Sequence, residues 1–213
     1  MKSLLIFIFA ATALNCLATP HCIDLFNGEN LDGWTAFVDG QSNEDSKVFS
    51  AKDGFLCVKG NPFGYIRTNK KYSNFKLHVE WRYPQKGLNS GIFLFVQDPM
   101  KLWPNAIECQ LMKGRVGDFV LLGGSDIAEF KLPGGTPRPK FPVVRKLAES
   151  SENPDGEWNC ADIICKEGNI TLYINGRLQN MGTKSAHKEG YIALQSEGSE
   201  VLFRNIRLTP IDD

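Results

Sequence analysis

Phe75-Lys76-Leu77-His78-Val79-Glu80-Trp81-Arg82-Tyr83 is the stretch that decides the fold. Apolar and polar residues alternate along it without a break. A period of two belongs to a β-strand with one face on a core. Phe75, Leu77, Val79, Trp81 and Tyr83 point one way; Lys76, His78, Glu80 and Arg82 point the other. The pattern returns from Asn105 to Met112, with Ile107, Cys109 and Leu111 on one side and Glu108 and Gln110 on the other. If the two strands share a sheet, one face carries Glu80, Arg82, Glu108 and Gln110 together. Such a face suits a polar ligand such as a sugar, and a carboxylate on it suits acid–base chemistry.

Working outward, further strands are predicted at Phe55–Val58, Ile92–Gln97, Phe119–Leu122, Trp158–Lys166, Ile170–Ile174, Tyr191–Gln195 and Val201–Leu208. Turn residues separate them, including Asp53-Gly54, Asn61-Pro62, Glu167-Gly168-Asn169 and Glu197-Gly198. Asn175-Gly176 is a hairpin signal, because a type I′ turn needs positive φ at both central residues. No window shows a helical period. Many short strands at this spacing predict an all-β sandwich. The stretch from Leu132 to Pro154 differs, with Pro133, Pro137, Pro139, Pro142 and Pro154. Proline cannot donate to a ladder, so this is a long loop, either a functional lid or a surface excursion.

The length of 213 residues fits one sizeable β-domain, and 42% hydrophobic residues provide a core. Lys plus Arg equals Asp plus Glu at 24 each, so no net field favours nucleic acid or an anionic membrane. The first residues read as an export signal: Lys2, then apolar Leu4 to Ala13, then Cys16-Leu17-Ala18 as a cleavage site. The expected organisation is a signal peptide over residues 1–18 and one domain over 19–213, exported to the periplasm or secreted. A lipid anchor on Cys16 is the weaker alternative, because Asn15 stands where a small residue normally precedes the lipidated cysteine. No stretch is long and apolar enough to span a membrane.

Beyond Ala18 stand Cys22, Cys57, Cys109, Cys160 and Cys165, an odd number that leaves at least one free or paired between chains. Cys160 and Cys165 fall in one predicted strand, roughly 16 Å apart, too far to bridge. Cys57 and Cys109 read as small buried hydrophobes. No CxxC pair or HExxH motif signals a metal. The glycines at Gly114, Gly117, Gly123 and Gly124 lack the lysine and helix of a phosphate loop.

Glu80 and Arg82 read either as a local ion pair or as a sugar clamp, since arginine donates in a fixed fork. Glu108 and Gln110 suit sugar hydroxyls, and Asp118 stands close enough in sequence to complete a carboxylate pair. Trp81 faces the core by its position. Trp103, beside Pro104 in a loop, is the candidate platform for a pyranose ring.

The ordered set of segments resembles the 3-keto-disaccharide hydrolase family. It includes Leu25-Phe26-Asn27-Gly28, Leu31-Asp32-Gly33-Trp34, Glu80-Trp81-Arg82, Asn89-Ser90-Gly91-Ile92 and Glu108-Cys109-Gln110. Gly156-Glu157-Trp158-Asn159, Leu194-Gln195-Ser196-Glu197-Gly198 and Phe203-Arg204-Asn205-Ile206 follow in the family's order. The resemblance implies a concanavalin A-like jelly-roll β-sandwich of two antiparallel sheets with a concave carbohydrate face. It also implies export and cleavage of glycosides whose C3 hydroxyl has been oxidised to a ketone. The ketone acidifies the C2 proton, so a base can remove it and expel the C1 substituent, after which water adds. On this reading Glu108 is the catalytic base or acid. Gln110 and Arg82 hold hydroxyl and keto oxygens, Glu80 orients Arg82, and Gln195 and Glu197 line the opposite wall. Many relatives carry histidine where Glu197 stands. A carbohydrate is the expected partner and no cofactor is expected. Sandwiches of this type can carry calcium, but no Asp-rich loop here argues for it. The alternative from another class is a non-catalytic carbohydrate-binding jelly roll.

Overall fold

A computed structural model describes residues 21–40 and 47–212. The expected signal peptide, residues 1–18 with Cys16, lies outside the described residues. The strands are β1 (Ile23–Asp24), β2 (Trp34–Val38), β3 (Phe49–Lys52), β4 (Phe55–Val58), β5 (Gly64–Thr68), β6 (Phe75–Arg82), β7 (Gly91–Val96) and β8 (Ala106–Gln110). They continue as β9 (Phe119–Leu122), β10 (Val143–Val144), β11 (Asn159–Lys166), β12 (Asn169–Ile174), β13 (Arg177–Gly182), β14 (Tyr191–Ser196) and β15 (Val201–Pro210). Among the described residues there is no helix.

The strands form two antiparallel sheets. One runs β10-β9-β8-β7-β14-β5-β2 and will be called the front sheet. The other, the back sheet, runs β13-β12-β11-β6-β15-β4-β3, with β1 added beside β15. All nine strands predicted from the sequence are present, with ends shifted by a residue or two. Asn175 and Gly176 have φ of 49° and 76° and join β12 to β13, as the hairpin signal requires. The proline-rich segment is mostly loop, but its Val143 and Val144 pair with Val120 and Phe119 as the edge of the front sheet.

The alternating residues explain the core. Leu77, Val79 and Trp81 of the back sheet and Ile107 and Cys109 of the front sheet point into one buried cluster between the layers. Each fully buried large apolar side chain contributes about 1.5–3 kcal/mol. Cys109 and Cys165 belong to this cluster, whereas Cys57 and Cys160 are only half-buried. All five described cysteines are free.

One expectation is overturned here. Strands β6 and β8 do not share a sheet. Both turn their apolar faces inward, so their polar rows point outward on opposite sides of the sandwich. Glu80 and Arg82 therefore lie across the core from Glu108 and Gln110 and cannot help them hold one ligand. On the back sheet, Glu80 Oε2 accepts a hydrogen bond from Arg204 Nε at 2.6 Å, and its Oε1 accepts one from Asn205 Nδ2 at 2.7 Å. These contacts fasten a bulge in β15, where the register shifts between Arg204 and Arg207 and Asn205 adopts a φ of 49°. Arg82 lies over the ring of Trp158, 4.8 Å from its centroid, with Arg204 at 3.9 Å. Glu80 does not orient Arg82; it is an anchor for β15.

Candidate active site

The outer face of the front sheet carries a cavity of about 220 Å³. Strand alternation places Glu108 and Gln110 of β8 on this face, beside Asp118, Val120 and Leu122 leading into and along β9. Glu108 is 3% exposed, and its Oε1 is buried with no hydrogen-bond partner. The carboxyl reaches across β7 above Gly91, where a Cβ would stand 2.3 Å from Oε1. Only a residue without a side chain leaves room for it.

Glu197 enters the cavity from the end of β14. Its Oε2 accepts hydrogen bonds from Gln195 Nε2 at 2.7 Å and Asn89 Nδ2 at 2.9 Å. The amide oxygens of these two donors, Gln195 Oε1 and Asn89 Oδ1, are themselves buried and unpartnered. Ser90 Oγ donates to the Gln195 carbonyl at 2.8 Å and holds the two segments together. Two of these unpartnered buried oxygens, Glu108 Oε1 and Asn89 Oδ1, belong to residues that line the cavity; Gln195 is buried behind Glu197 and does not line it. Buried polar atoms are normally satisfied, so unpartnered oxygens at this place mark the cavity as the polar site of the molecule.

The electrostatics separate the two acids. Burial, then the neighbouring charge of Glu197, pushes Glu108 well above the usual carboxylate range. Burial also raises Glu197, while the hydrogen bond from Gln195 opposes the rise. The proton is retained more strongly on Glu108. Glu197, held by two amide donors, is the better carboxylate.

The other expected residues divide. Gln110 lines the cavity, and its Oε1 accepts the Met112 backbone N–H at 3.2 Å. Asp118 also lines it, but Arg145 Nη1 donates to its Oδ2 at 2.8 Å and the Lys146 backbone N–H to its Oδ1 at 2.9 Å. Asp118 is thus a fastening for the long loop and not a free second acid. Trp103 forms a wall, its ring edge-on to Phe141 at 5.2 Å. Sequence reasoning gave no role to Asn89, Arg115 or Phe141, all of which line the cavity. Asn89 stood inside a quoted motif; Phe141 was hidden in the proline-rich loop. Among the described residues no cluster of three or more His, Cys, Asp or Glu could hold a metal ion.

Two antiparallel sheets, with no helix among the described residues, define a concanavalin A-like β-sandwich. Residues 21–209 match the 3-keto-alpha-glucoside-1,2-lyase-like domain, and the chain belongs to that family. It is similar to the 3-keto-disaccharide hydrolase of Bacteroides thetaiotaomicron, at 24% identity over 89% of this chain and 78% of that one. A crystal structure from Parabacteroides distasonis, assigned as a glycosyl hydrolase, superposes with a TM-score of 0.65 and 24% identity, covering 90% of this chain and 94% of that one. The β-glucanase of Bacillus licheniformis shares the fold, with a TM-score of 0.55 and 13% identity over 92% of this chain and 100% of that one.

Proposed function

We propose that this chain is an exported enzyme that cleaves the glycosidic bond of 3-keto-glycosides or 3-keto-disaccharides by elimination and hydration. The observation that carries the reading is the pair of unlike carboxyl groups in one cavity, Glu108 with an oxygen buried without a hydrogen-bond partner and Glu197 held by two amide donors. The family and its Bacteroides thetaiotaomicron relative supply the substrate class. Export rests on Lys2, the apolar run from Leu4 to Ala13 and the small residues ending at Ala18.

The ketone at C3 makes the C2 hydrogen acidic. Glu197 takes that proton; both amide donors engage Oε2, so Oε1 is the atom presented to the substrate. The C2–H electron pair becomes the C1–C2 double bond as the C1–O bond breaks. Glu108 gives its proton to the departing oxygen, which its burial equips it to do. Water then adds at C1 and a proton returns to C2, so the net change is hydrolysis. Gln110 and Arg115, which also line the cavity, would hold the hydroxyl and keto oxygens. Arg115 takes the part that the sequence assigned to Arg82.

The test is incubation with 3-keto-trehalose and 3-keto-sucrose, and with the unoxidised sugars, in heavy water. The expected result is monosaccharide release from the keto forms alone, with deuterium at C2 of the product. Release without deuterium would remove the elimination step. Saturable binding with no release would leave a carbohydrate-binding module.

A further inference from the structure

We propose that the part of the cavity over β9 and β10 receives an apolar, ring-shaped leaving group and not a second sugar. This rests on the glycoside-cleaving reading above and names the substrate class of that same site. The strand register sorts the lining residues into two halves. Val120 stands opposite Glu108, Val143 opposite Val120, and Leu122 opposite Ala106. Moving from Glu108 away from β7 and β14, a ligand meets Val120, Leu122 and Val143, closed over by Trp103 and Phe141 in edge contact.

The free acceptor atoms lie elsewhere. Glu108 Oε1, Gln195 Oε1 and Asn89 Oδ1 belong to β8, β14 and the approach to β7. Asp118, the carboxylate on the β9 side, has both oxygens engaged by Arg145 and Lys146. A second pyranose seated there would surrender water from its hydroxyls to aliphatic side chains that offer no bond in return. A flat apolar group loses nothing of the kind and gains buried contact area. At about 220 Å³ the cavity is smaller than the ~300–1,000 Å³ of sites that bury a whole drug-sized ligand, so the group that it takes beside the glycone is small. Glu108 stands at the boundary between the halves, where the bond between glycone and leaving group falls.

The experiment compares the 3-keto forms of methyl glucoside, benzyl glucoside and a glucosyl disaccharide, in both anomers. Methanol and benzyl alcohol leave with similar acidity, so a difference between them reports contact with the ring. The benzyl substrate is expected to show roughly tenfold or greater kcat/KM over both others. Phe141→Ala and Val143→Thr are expected to narrow the benzyl-to-methyl ratio. Equal kcat/KM for all three, or a disaccharide preference, overturns the proposal while leaving the enzyme reading intact. If no keto-glycoside is cleaved, the enzyme reading fails first. Calorimetric titration with unoxidised benzyl and methyl glucosides then decides the matter. Tighter benzyl binding that weakens in Phe141→Ala upholds the apolar half, and equal or undetectable binding of both overturns it.

Discussion

The carboxyl of Glu108 occupies the space that a side chain on Gly91 would need, with Oε1 only 2.3 Å from the position of a Cβ there. The two residues sit on neighbouring strands, β8 and β7, and Gly91 pairs with Gln110 across the ladder. The glycine therefore sets the direction in which the acid points.

Gly91→Ala is expected to displace the Glu108 carboxyl. A misplacement of about an ångström in a reacting group can cost roughly 10²-fold, and a loss of that order in kcat/KM is expected. The overpacking should cost about 1–3 kcal/mol, measured by urea unfolding. Unchanged kcat/KM in a folded variant would show that the position of Glu108 is not critical.

Glu108→Gln should lower kcat/KM by about 10²–10⁴-fold while raising stability. The folded state binds a proton that the unfolded chain releases above about pH 4.3. The contribution of Glu108 to stability is thus fullest below that pH and declines as pH rises through the window up to the raised folded value. The glutamine variant escapes this decline, so its advantage in urea midpoint should widen as pH rises above about 4.3. A constant gap would mean that Glu108 holds no such proton.

Glu197→Gln should remove the base, with a loss of about 10²–10⁴-fold. Glu197→His, bringing in the residue that the family resemblance leads one to expect there, should retain more activity. Its acid limb should move towards the histidine range near pH ~6.5. Equal loss in both variants, each shown to be folded, would argue against a proton-accepting role.

On the back sheet, Glu80→Gln should leave kcat/KM within about twofold, since the whole core separates it from the cavity. Burial pushes Glu80 up, but the hydrogen bonds from Asn205 and Arg204 prevail and hold its carboxyl below the usual range. Its stabilising effect is present above the unfolded value near pH ~4.3 and is lost as pH falls through the lower folded one. A cost of about 1–3 kcal/mol at pH 7 is expected from urea unfolding. A large fall in kcat/KM at unchanged stability would reinstate Glu80 as a site residue.

Asp118→Asn should loosen the loop that carries Phe141 and Val143. Amide exchange over residues 142–147 is expected to accelerate, with a stability loss of about 1–3 kcal/mol. Exchange unchanged from wild type would show that Arg145 and Lys146 do not depend on Asp118.

The facing of Glu80, Arg82, Glu108 and Gln110 was legible in the sequence; their grouping was not. Alternation tells which side chains turn from the core, but a sandwich has two outer faces and alternation is the same on both. Strands β6 and β8 therefore looked alike while lying on opposite sides. Strand β5 escaped notice because Gly64-Tyr65-Ile66 is buried on both faces and shows no alternation. Strand β13 escaped because Gln179 and Asn180 are fully buried polar residues. Glu197 and Asn89 meet through side-chain hydrogen bonds between segments 108 residues apart, a relation that no local pattern carries.

The pairing of β1 with the end of β15 brings the two ends of the described chain side by side in the back sheet. Anything attached beside residues 21 and 212 would leave from the back-sheet side, with the cavity opening on the opposite outer face. The same geometry favours immobilisation: coupled to a support beside the β1–β15 pair, the protein would present its cavity to the surrounding solution.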